Sequence, residues 1–323
     1  MDTKTKGAWL VHHTQKLEHV HGVHQFDKIF AAGKAGILLS ALSASDQMDL
    51  DNARVELLAK AANINTVFEL PKLLELLEKR ELVQVSTKGV AVLGVTTSSV
   101  VQHAAGVYDD LGPSPEENAA LFFSELTSQA PLRQKESKRY LSDSCALTGS
   151  QTDGLLEEAE EVGFVDFEDL GGDKVYFNGN LFRREHIAKT QLVLQSLTTE
   201  EQSHITDVEA LLKRSGCVAL SQVTKILGAE LLKKLNSIAM YDISVVNNDQ
   251  ENVAFVTRPA AFSKYGNPLV EDALDLAKAF VSSLTYGMTR SGHARGRIRM
   301  VERLMARLID GAWVGPVDAI GKD

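Results

Sequence analysis

Residues 163–178, GFVDFEDLGGDKVYFN, hold two stretches with apolar side chains on either side of a Gly-Gly pair. Two short strands that flank a glycine turn are typical of a β-hairpin. The preceding residues 151–162 place two leucines and an alanine at helical spacing. The pattern therefore predicts a helix that runs directly into a hairpin, and we expect Leu155 and Phe164 to lie in its core.

The same succession of a helix and a hairpin occurs twice more along the chain. Residues 82–95 follow an amphipathic stretch at 67–80, and residues 240–257 follow another at 229–238. The hairpins begin about 80 residues apart, and this spacing favours tandem modules over one large fold. We predict a mainly α fold with small β-hairpin wings, that is, an α+β protein of repeated modules.

Prolines separate the predicted modules. Pro113 and Pro115 interrupt the helical pattern, and Pro259 and Pro268 do so again. We predict a histidine-rich arm at 1–25, modules at 26–100, 114–180 and 198–258, a connecting helix at 181–197, and a partial fourth module with an arginine-rich loop at 268–323.

The composition is that of an ordinary globular protein. The 323 residues are 44% hydrophobic and 24% charged, which is enough to form the cores of about two to four small domains. No run of about 18 apolar residues occurs, and the first residues lack the basic-then-apolar order of a signal peptide. We therefore expect a cytoplasmic protein without a membrane partner. Cys145 and Cys217 are far apart and form no CxxC pair, so we expect small buried hydrophobes rather than a disulfide or a zinc site.

Five of the nine histidines lie in the first segment: His12, His13, His19, His21 and His24. Imidazole is a common metal ligand, so metal binding is one interpretation of these residues. The other interpretation is a polar helical arm whose charge depends on pH. The arm is favoured because no Asp, Glu or Cys is spaced to complete a tetrahedral set. We predict no metal site.

Known catalytic motifs are missing from the sequence. The stretch AAGKAG around Lys34 lacks the first glycine and the hydroxyl residue of a phosphate-binding GxxxxGK[ST] loop. No GxSxG, HExxH or GxGxxG pattern occurs either. We therefore predict a protein that is not an enzyme, that uses no cofactor and that binds no small-molecule ligand.

Charge is distributed unevenly along the chain, whose formal net charge is −9. Residues 289–307 contain one acid and six arginines: Arg290, Arg295, Arg297, Arg299, Arg303 and Arg307. The last three arginines are four residues apart on a predicted helix at 298–310 and share one face of it. Loop and helix together can therefore contact successive phosphates. Residues 153–173 contain nine acids and no basic residue, and such a surface repels a phosphate backbone.

The repeated order of helices and a hairpin resembles that of winged-helix proteins. In that family the third helix usually enters the DNA major groove, and the hairpin wing contacts the backbone or the minor groove. The resemblance implies that these residues contact DNA: Lys72, Lys79 and Arg80 in the first module, Lys233, Lys234 and Asn236 in the third, and Lys88 and Lys174 at wing tips. The second module departs from the pattern because its third helix carries Glu157, Glu158, Glu160 and Glu161. That helix favours a protein-facing role.

Two functions agree with these features. The first is a DNA-binding protein, for example a transcriptional regulator, that docks on nucleic acid through residues 290–307. The second is an adaptor whose winged helices pack against other proteins, as in some condensin accessory subunits. Its protein partner, or a second copy of the chain, would bind the acidic second module. A third interpretation treats the arginines as a solvated helix face. We predict DNA binding, with the adaptor as the alternative.

Overall fold

A computed structural model describes residues 1–18, 20, 25–45, 49–96, 99–247, 251–260, 264–265, 271–291, 297–309, 312 and 314. The chain divides into two compact units, unit 1 (Met1–Asn178) and unit 2 (Gly179–Asp323). Both units are mainly helical with small antiparallel sheets, which confirms the predicted α+β class. No helix among the described residues is long and apolar enough to span a bilayer.

The first helix of unit 1 is packed rather than solvated. This helix, α1 (Thr3–Leu17), contacts α2 (Asp27–Ser43) and α5 (Val100–Asp110). Trp9, Leu10 and His13 of α1 are fully buried. His13 follows Trp9 by four residues and Leu10 by three, so the three side chains share the helix face that packs inward. The expected polar arm is therefore wrong for α1. His19, His21 and His24 lie outside the described residues.

The first repeat of unit 1 contains three helices and three strands. They are α2, β1 (Asp49–Asp51), α3 (Asn52–Ala61), α4 (Leu70–Lys79), β2 (Val83–Ser86) and β3 (Gly89–Val92). The Asp51 side chain caps α3 by accepting from the Arg54 backbone N–H at 2.7 Å. Pro71 lies in the first turn of α4, where its missing N–H costs no helical hydrogen bond. The antiparallel sheet has the order β1-β3-β2.

The second repeat has the same element order. It consists of α6 (Pro115–Gln129), β4 (Leu132–Arg133), α7 (Gln134–Cys145), α8 (Gly149–Val162), β5 (Asp166–Asp169) and β6 (Lys174–Phe177), with the sheet order β4-β6-β5. Thr148 and Gln151 form a capping box at the start of α8. Gly163 ends α8 with a left-handed backbone, φ 77°. The predicted helix and the hairpin that follows it are confirmed.

Leu155 and Phe164 are core residues of the second repeat, as predicted. Their exposed fractions are 2% and 4%. The centroid of the Phe164 ring lies 3.9 Å from that of His13 on α1 and 4.9 Å from that of Phe26, which precedes α2. The base of the second hairpin therefore shares one aromatic cluster with α1 and with the start of the first repeat.

One carboxylate connects the two repeats of unit 1. Glu117, in the first turn of α6, accepts from the Ser114 backbone N–H at 2.9 Å and completes a capping box. Its other oxygen accepts from the backbone N–H groups of Lys28 at 2.8 Å and Ile29 at 3.3 Å, at the start of α2. Helix α2 has no side-chain cap of its own at its N-cap residue. The buried Glu117 carboxylate therefore caps two helices.

Unit 2 contains the same element order once more. A 3-10 turn (Arg184–His186) and α9 (Ile187–Gln195) precede α10 (Thr199–Ser215), β7 (Val218–Ala219), α11 (Leu220–Asn236), β8 (Asp242–Asn247) and β9 (Asn252–Thr257), with the sheet order β7-β9-β8. Gly228, with φ 75° and ψ 164°, divides α11 into two helical halves, and the second half begins with the amphipathic stretch at 229–238 predicted from the sequence. Helix α9 covers only part of the expected connecting helix at 181–197, and its Leu192 is exposed.

Two more helices follow the third repeat. Helix α12 (Glu271–Thr289) packs against β8 and β9. Ser282 is buried there, and Lys278 forms an ion pair with Asp242 at 2.7 Å. Helix α13 (Val301–Ile309) confirms a helix after the arginine-rich loop. It begins three residues later than the predicted 298–310, so Arg299 precedes the helix and only Arg303 and Arg307 share its face. The rest of the predicted fourth module lies outside the described residues, so that module stays a prediction.

Candidate nucleic-acid interface

The structure describes five of the six arginines predicted to bind DNA, and all five are exposed: Arg290, Arg297, Arg299, Arg303 and Arg307. Arg295 lies outside the described residues. Arg290 follows the last residue of α12, and its backbone N–H donates to the Tyr286 carbonyl at 2.8 Å. Arg297 Nε donates to the Met288 carbonyl at 3.2 Å. The described residues on both sides of the arginine-rich loop are thus held at the end of α12.

Helix α13 has an arginine side and an apolar side. Arg303 and Arg307 are one turn apart and exposed, whereas Val301, Leu304 and Met305 are half-buried. The ion pairs between described residues of unit 2 involve Lys234, Arg258 and Lys278, and none of them involves the arginines of α13. The planar guanidinium groups therefore remain available to phosphate oxygens.

A groove with a volume of about 620 Å³ lies beside Arg290. Its walls are the first residues of α11, the start of β9 and the residue that follows α12. Lys225 lines the groove together with Arg290, and both side chains are exposed. The sequence pattern did not indicate Lys225, because its proximity to Arg290 arises only when α12 packs on the sheet of the third repeat.

The second half of α11 carries the residues expected to face DNA in the third repeat. Lys233 and Asn236 are exposed. Lys234 Nζ lies 3.2 Å from Glu201 Oε1 at the start of α10. A hydrogen bond from the Thr198 backbone, followed by that from Lys234, lowers the pKa of Glu201. Lys234 is therefore partly engaged within the unit, whereas Lys233 and Asn236 face solvent.

The corresponding residues of the first repeat divide into two groups. Lys72 and Lys79 are exposed on α4. Arg80, by contrast, donates from Nη1 to the Gly106 carbonyl at 2.9 Å and to Asp110 Oδ2 at 2.6 Å. Both partners lie on α5. Arg80 thus links the end of α4 to a neighbouring helix, and its role in the described structure is a packing contact.

The two predicted wing-tip lysines also differ. Lys88 is exposed in the turn between β2 and β3. Lys174, at the start of β6, donates to both carboxylate oxygens of Glu160 on α8, at 2.6 and 2.9 Å. Its Nζ also lies 4.5 Å from the ring centroid of Phe167. Lys174 is therefore engaged within its own repeat.

The third helix of the second repeat carries carboxylates in place of cations. Glu157 and Glu161 are exposed on α8. Burial, followed by repulsion from Glu116 and from Glu161 and Glu157, raises the pKa of Glu158, although a hydrogen bond with Gln25 opposes this shift. Crowding of acids on one helix disfavours contact with a phosphate backbone.

The two units differ in total charge. Unit 1 contains 16 Lys and Arg against 27 Asp and Glu, a formal charge of −11, whereas unit 2 contains 18 against 16, a formal charge of +2. Eight of the cations of unit 1 form ion pairs within it: Lys6, Lys28, Lys34, Lys60, Arg80, Arg133, Lys138 and Lys174. The cations available for an anionic ligand are therefore concentrated in unit 2.

Lys34 in the AAGKAG stretch has a packing role. Its side chain is buried in α2, and its Nζ donates to the Asn63 carbonyl at 2.6 Å and lies 2.7 Å from Glu18 Oε1. Asn63 adopts a left-handed backbone, φ 55°, just after α3. Lys34 therefore stabilises the turn between α3 and α4 and does not belong to a phosphate-binding loop.

His13 is a fully buried imidazole on α1. Its Nε2 lies 2.8 Å from Ser124 Oγ, which donates its own hydrogen to the Ala120 carbonyl at 3.0 Å, so Nε2 carries the imidazole proton. Nδ1 is buried and has no hydrogen-bond partner among the described residues. Burial lowers the pKa of His13 well below its usual range, and the nearby charges of His12 and Lys16 add to this effect. No group of His, Cys, Asp and Glu side chains within the described ranges could hold a metal ion.

Comparison of the chain with protein-family models, with curated proteins and with solved structures finds no match. Inference of function therefore depends on the repeats, the charges and the groove themselves.

Proposed function

We propose that the protein is a non-enzymatic DNA-binding protein built from three winged-helix modules, and that unit 2 docks on DNA through residues 290–307. The observation that carries this proposal is the exposure of Arg290, Arg303 and Arg307, none of which forms an ion pair with another described residue. Phosphate binding by such groups releases condensed counterions and favours association.

The repeated element order supports the winged-helix part of the proposal. In each repeat a helix and a short strand precede two helices and a hairpin, and the first strand pairs with the last. In the third repeat, Lys233 and Asn236 are exposed on the third helix, which the family uses to read the major groove. Arginine contacts to phosphates would fix the position of this helix, and the helix would then contact base edges.

A second function, that of a protein adaptor, is favoured by features of unit 1. Val67 and Phe68, just before α4, are 70% and 72% exposed, and large exposed apolar side chains often mark protein contacts. The acidic helix α8 would repel DNA but would suit a basic partner. We propose protein binding as the alternative role of unit 1, and this role is compatible with DNA binding by unit 2.

Mobility shifts of a short duplex of random sequence, measured across a salt series, test the main proposal. Reversal of the exposed arginines in and just before α13, Arg299→Glu, Arg303→Glu and Arg307→Glu together (the α13-region triple variant), should weaken binding strongly. It should also reduce the slope of log affinity against log salt by about 3, one for each lost phosphate contact.

A matched control separates this surface from net charge. Arg54→Glu, Lys135→Glu and Arg139→Glu change the total charge equally on exposed positions of unit 1. This control should retain most of the affinity. Equal losses in the two triple variants would show that only overall charge matters. Unchanged DNA binding in the α13-region triple variant, together with loss of a co-purifying protein, would establish the adaptor.

A further inference from the structure

The groove beside Arg290 is formed by three elements of unit 2 that are distant in sequence. Leu220, Ser221, Thr224 and Lys225 come from the first half of α11, Glu251 and the first three residues of β9 come next, and Arg290 follows α12. Its volume of about 620 Å³ is large enough for a short segment of an extended ligand. The groove thus lies between the helix that precedes the third helix and the hairpin.

The polar groups of the groove suit an anion. Lys225 and Arg290 approach it from two different elements, both are exposed, and neither forms an ion pair with another described residue. The Thr224 hydroxyl donates to the Leu220 carbonyl at 2.8 Å, so Ser221 supplies the hydroxyl that can donate to a ligand. Two cations and a hydroxyl are the groups that proteins use to hold phosphate oxygens.

One acid moderates this charge. Glu251 lines the groove, and one of its carboxylate oxygens accepts from the Tyr286 hydroxyl at 3.1 Å. Tyr286 lies on α12, so this hydrogen bond directs the carboxylate towards that helix. The cations outnumber the acid by two to one in the lining, and the groove retains a net positive charge.

The lining also indicates which part of a nucleic acid fits. No aromatic side chain is among the described residues of the lining, so a base has no ring on which to stack. Charged groups, hydroxyls and an exposed strand start are suited to the sugar–phosphate backbone, which carries no direct sequence information. A duplex offers that backbone with its bases turned inward.

We propose that this groove binds the phosphate backbone of duplex DNA between Lys225 and Arg290. This inference rests on the proposed DNA-binding function and adds a defined phosphate site to it. Lys225 lies on the first half of α11, and Lys233 and Asn236 lie on its second half. A backbone held in the groove therefore positions the third helix of the same repeat against the duplex, independently of α13.

Neutral substitutions in the full-length protein test the groove. Lys225→Gln and Arg290→Gln should each weaken binding to random-sequence duplexes about fivefold, the equivalent of about 1 kcal/mol per cation near an anionic surface. Each should reduce the salt slope by about 1, and the double variant by about 2. Glu251→Gln removes a negative charge from the groove and should therefore strengthen binding to the duplex. The matched control is Lys213→Gln with Arg214→Gln, which removes the same two residue types at exposed positions of α10.

The outcomes distinguish this inference from the function on which it rests. One outcome is that the groove variants bind DNA normally while the triple variant Arg299→Glu, Arg303→Glu and Arg307→Glu binds it weakly. In that case the groove is not a phosphate site and the DNA-binding proposal stands. If the wild-type chain does not retard duplex DNA at low salt, both fail. A loss confined to one DNA sequence, or tighter binding of inorganic phosphate than of duplex, would also overturn the groove proposal. Thermal unfolding of each variant verifies that the fold is retained.

Discussion

Units 1 and 2 share one element order but differ in formal charge, which is −11 in unit 1 and +2 in unit 2. In unit 1, Arg80 and Lys174, both at positions where a winged helix would contact DNA, are bound by Asp110 and Glu160 of the same unit. In unit 2, Lys233 is exposed, and Arg290 and Lys225 line an open groove. Topology alone therefore does not assign a binding function to a repeat. The partners of the cations decide whether a given repeat can take an anion.

The largest effect that we predict tests whether unit 1 is organised around its packed core rather than around a binding surface. Phe164→Ala should destabilise unit 1 by about 3–5 kcal/mol, because the ring is buried against His13 and Phe26 and its removal leaves a cavity. Denaturant unfolding of the full chain, followed by circular dichroism, measures the change. Phe68→Ala, at an exposed position of the same unit, is the control and should cost less than about 0.5 kcal/mol. Equal costs would contradict the packing described for the second hairpin.

A second prediction concerns pH and should separate the two units. The pKa of His13 is lowered in the folded state, so its neutral form stabilises unit 1 fully above the unfolded value of about 6.5. As the pH falls below about 6.5, the unfolded chain binds a proton that the folded chain does not. The free energy of unfolding should then decrease by about 1.4 kcal/mol per pH unit.

Unfolding of unit 1 at several pH values between about 6.5 and 5.5 measures this slope; carboxyl groups titrate mainly below that range. The charged groups that act on His13 are His12 and Lys16 on α1. On α6, Glu125 accepts from Nε1 of Trp9, whose ring stacks on that of His13, at 2.8 Å. His13→Gln should remove most of the slope while retaining a polar group at that position. An unchanged slope in this variant would assign the pH dependence to other groups.

The smallest predicted effect sharpens the contrast between cations that pack and cations that face solvent. Arg80→Gln should cost about 0.2–1 kcal/mol of stability, as expected for a partly exposed ion pair, and should leave DNA affinity unchanged. Lys233→Gln should do the reverse, lowering DNA affinity without a change in stability, because its side chain has no ion pair with a described residue. Unfolding curves and mobility shifts on both variants check the pair. A loss of DNA affinity in Arg80→Gln would show that Arg80 contacts DNA.

The elements with long periodic patterns could be predicted from the sequence, and the very short ones could not. The helix and hairpin at 149–177 and the break at Gly228 follow from side-chain spacing and from glycine. Strands β4 and β7 contain two residues each, which is too few for an alternating pattern. These strands form because β6 and β9 provide pairing partners.

The same limit applies to the candidate site. The arginine cluster was visible because its members are close in sequence. The engagement of Arg80 by Asp110 and the proximity of Lys225 to Arg290 depend on helices that pack only in the folded unit. The histidine-rich composition of residues 12–24 favours a solvated arm, whereas the burial of His13 follows from Trp9 and Leu10 on the same helix face.

The shared cap at Glu117 affects how unit 1 folds. Its carboxylate holds the first turns of α6 and α2 at once, so the N-terminus of a helix in one repeat is completed by a residue of the next. Opening of α6 leaves the Lys28 and Ile29 N–H groups without an acceptor, and opening of α2 leaves the buried Oε1 of Glu117 without donors. The cost of either loss is therefore shared by both repeats. We therefore expect the two repeats of unit 1 to unfold together rather than independently.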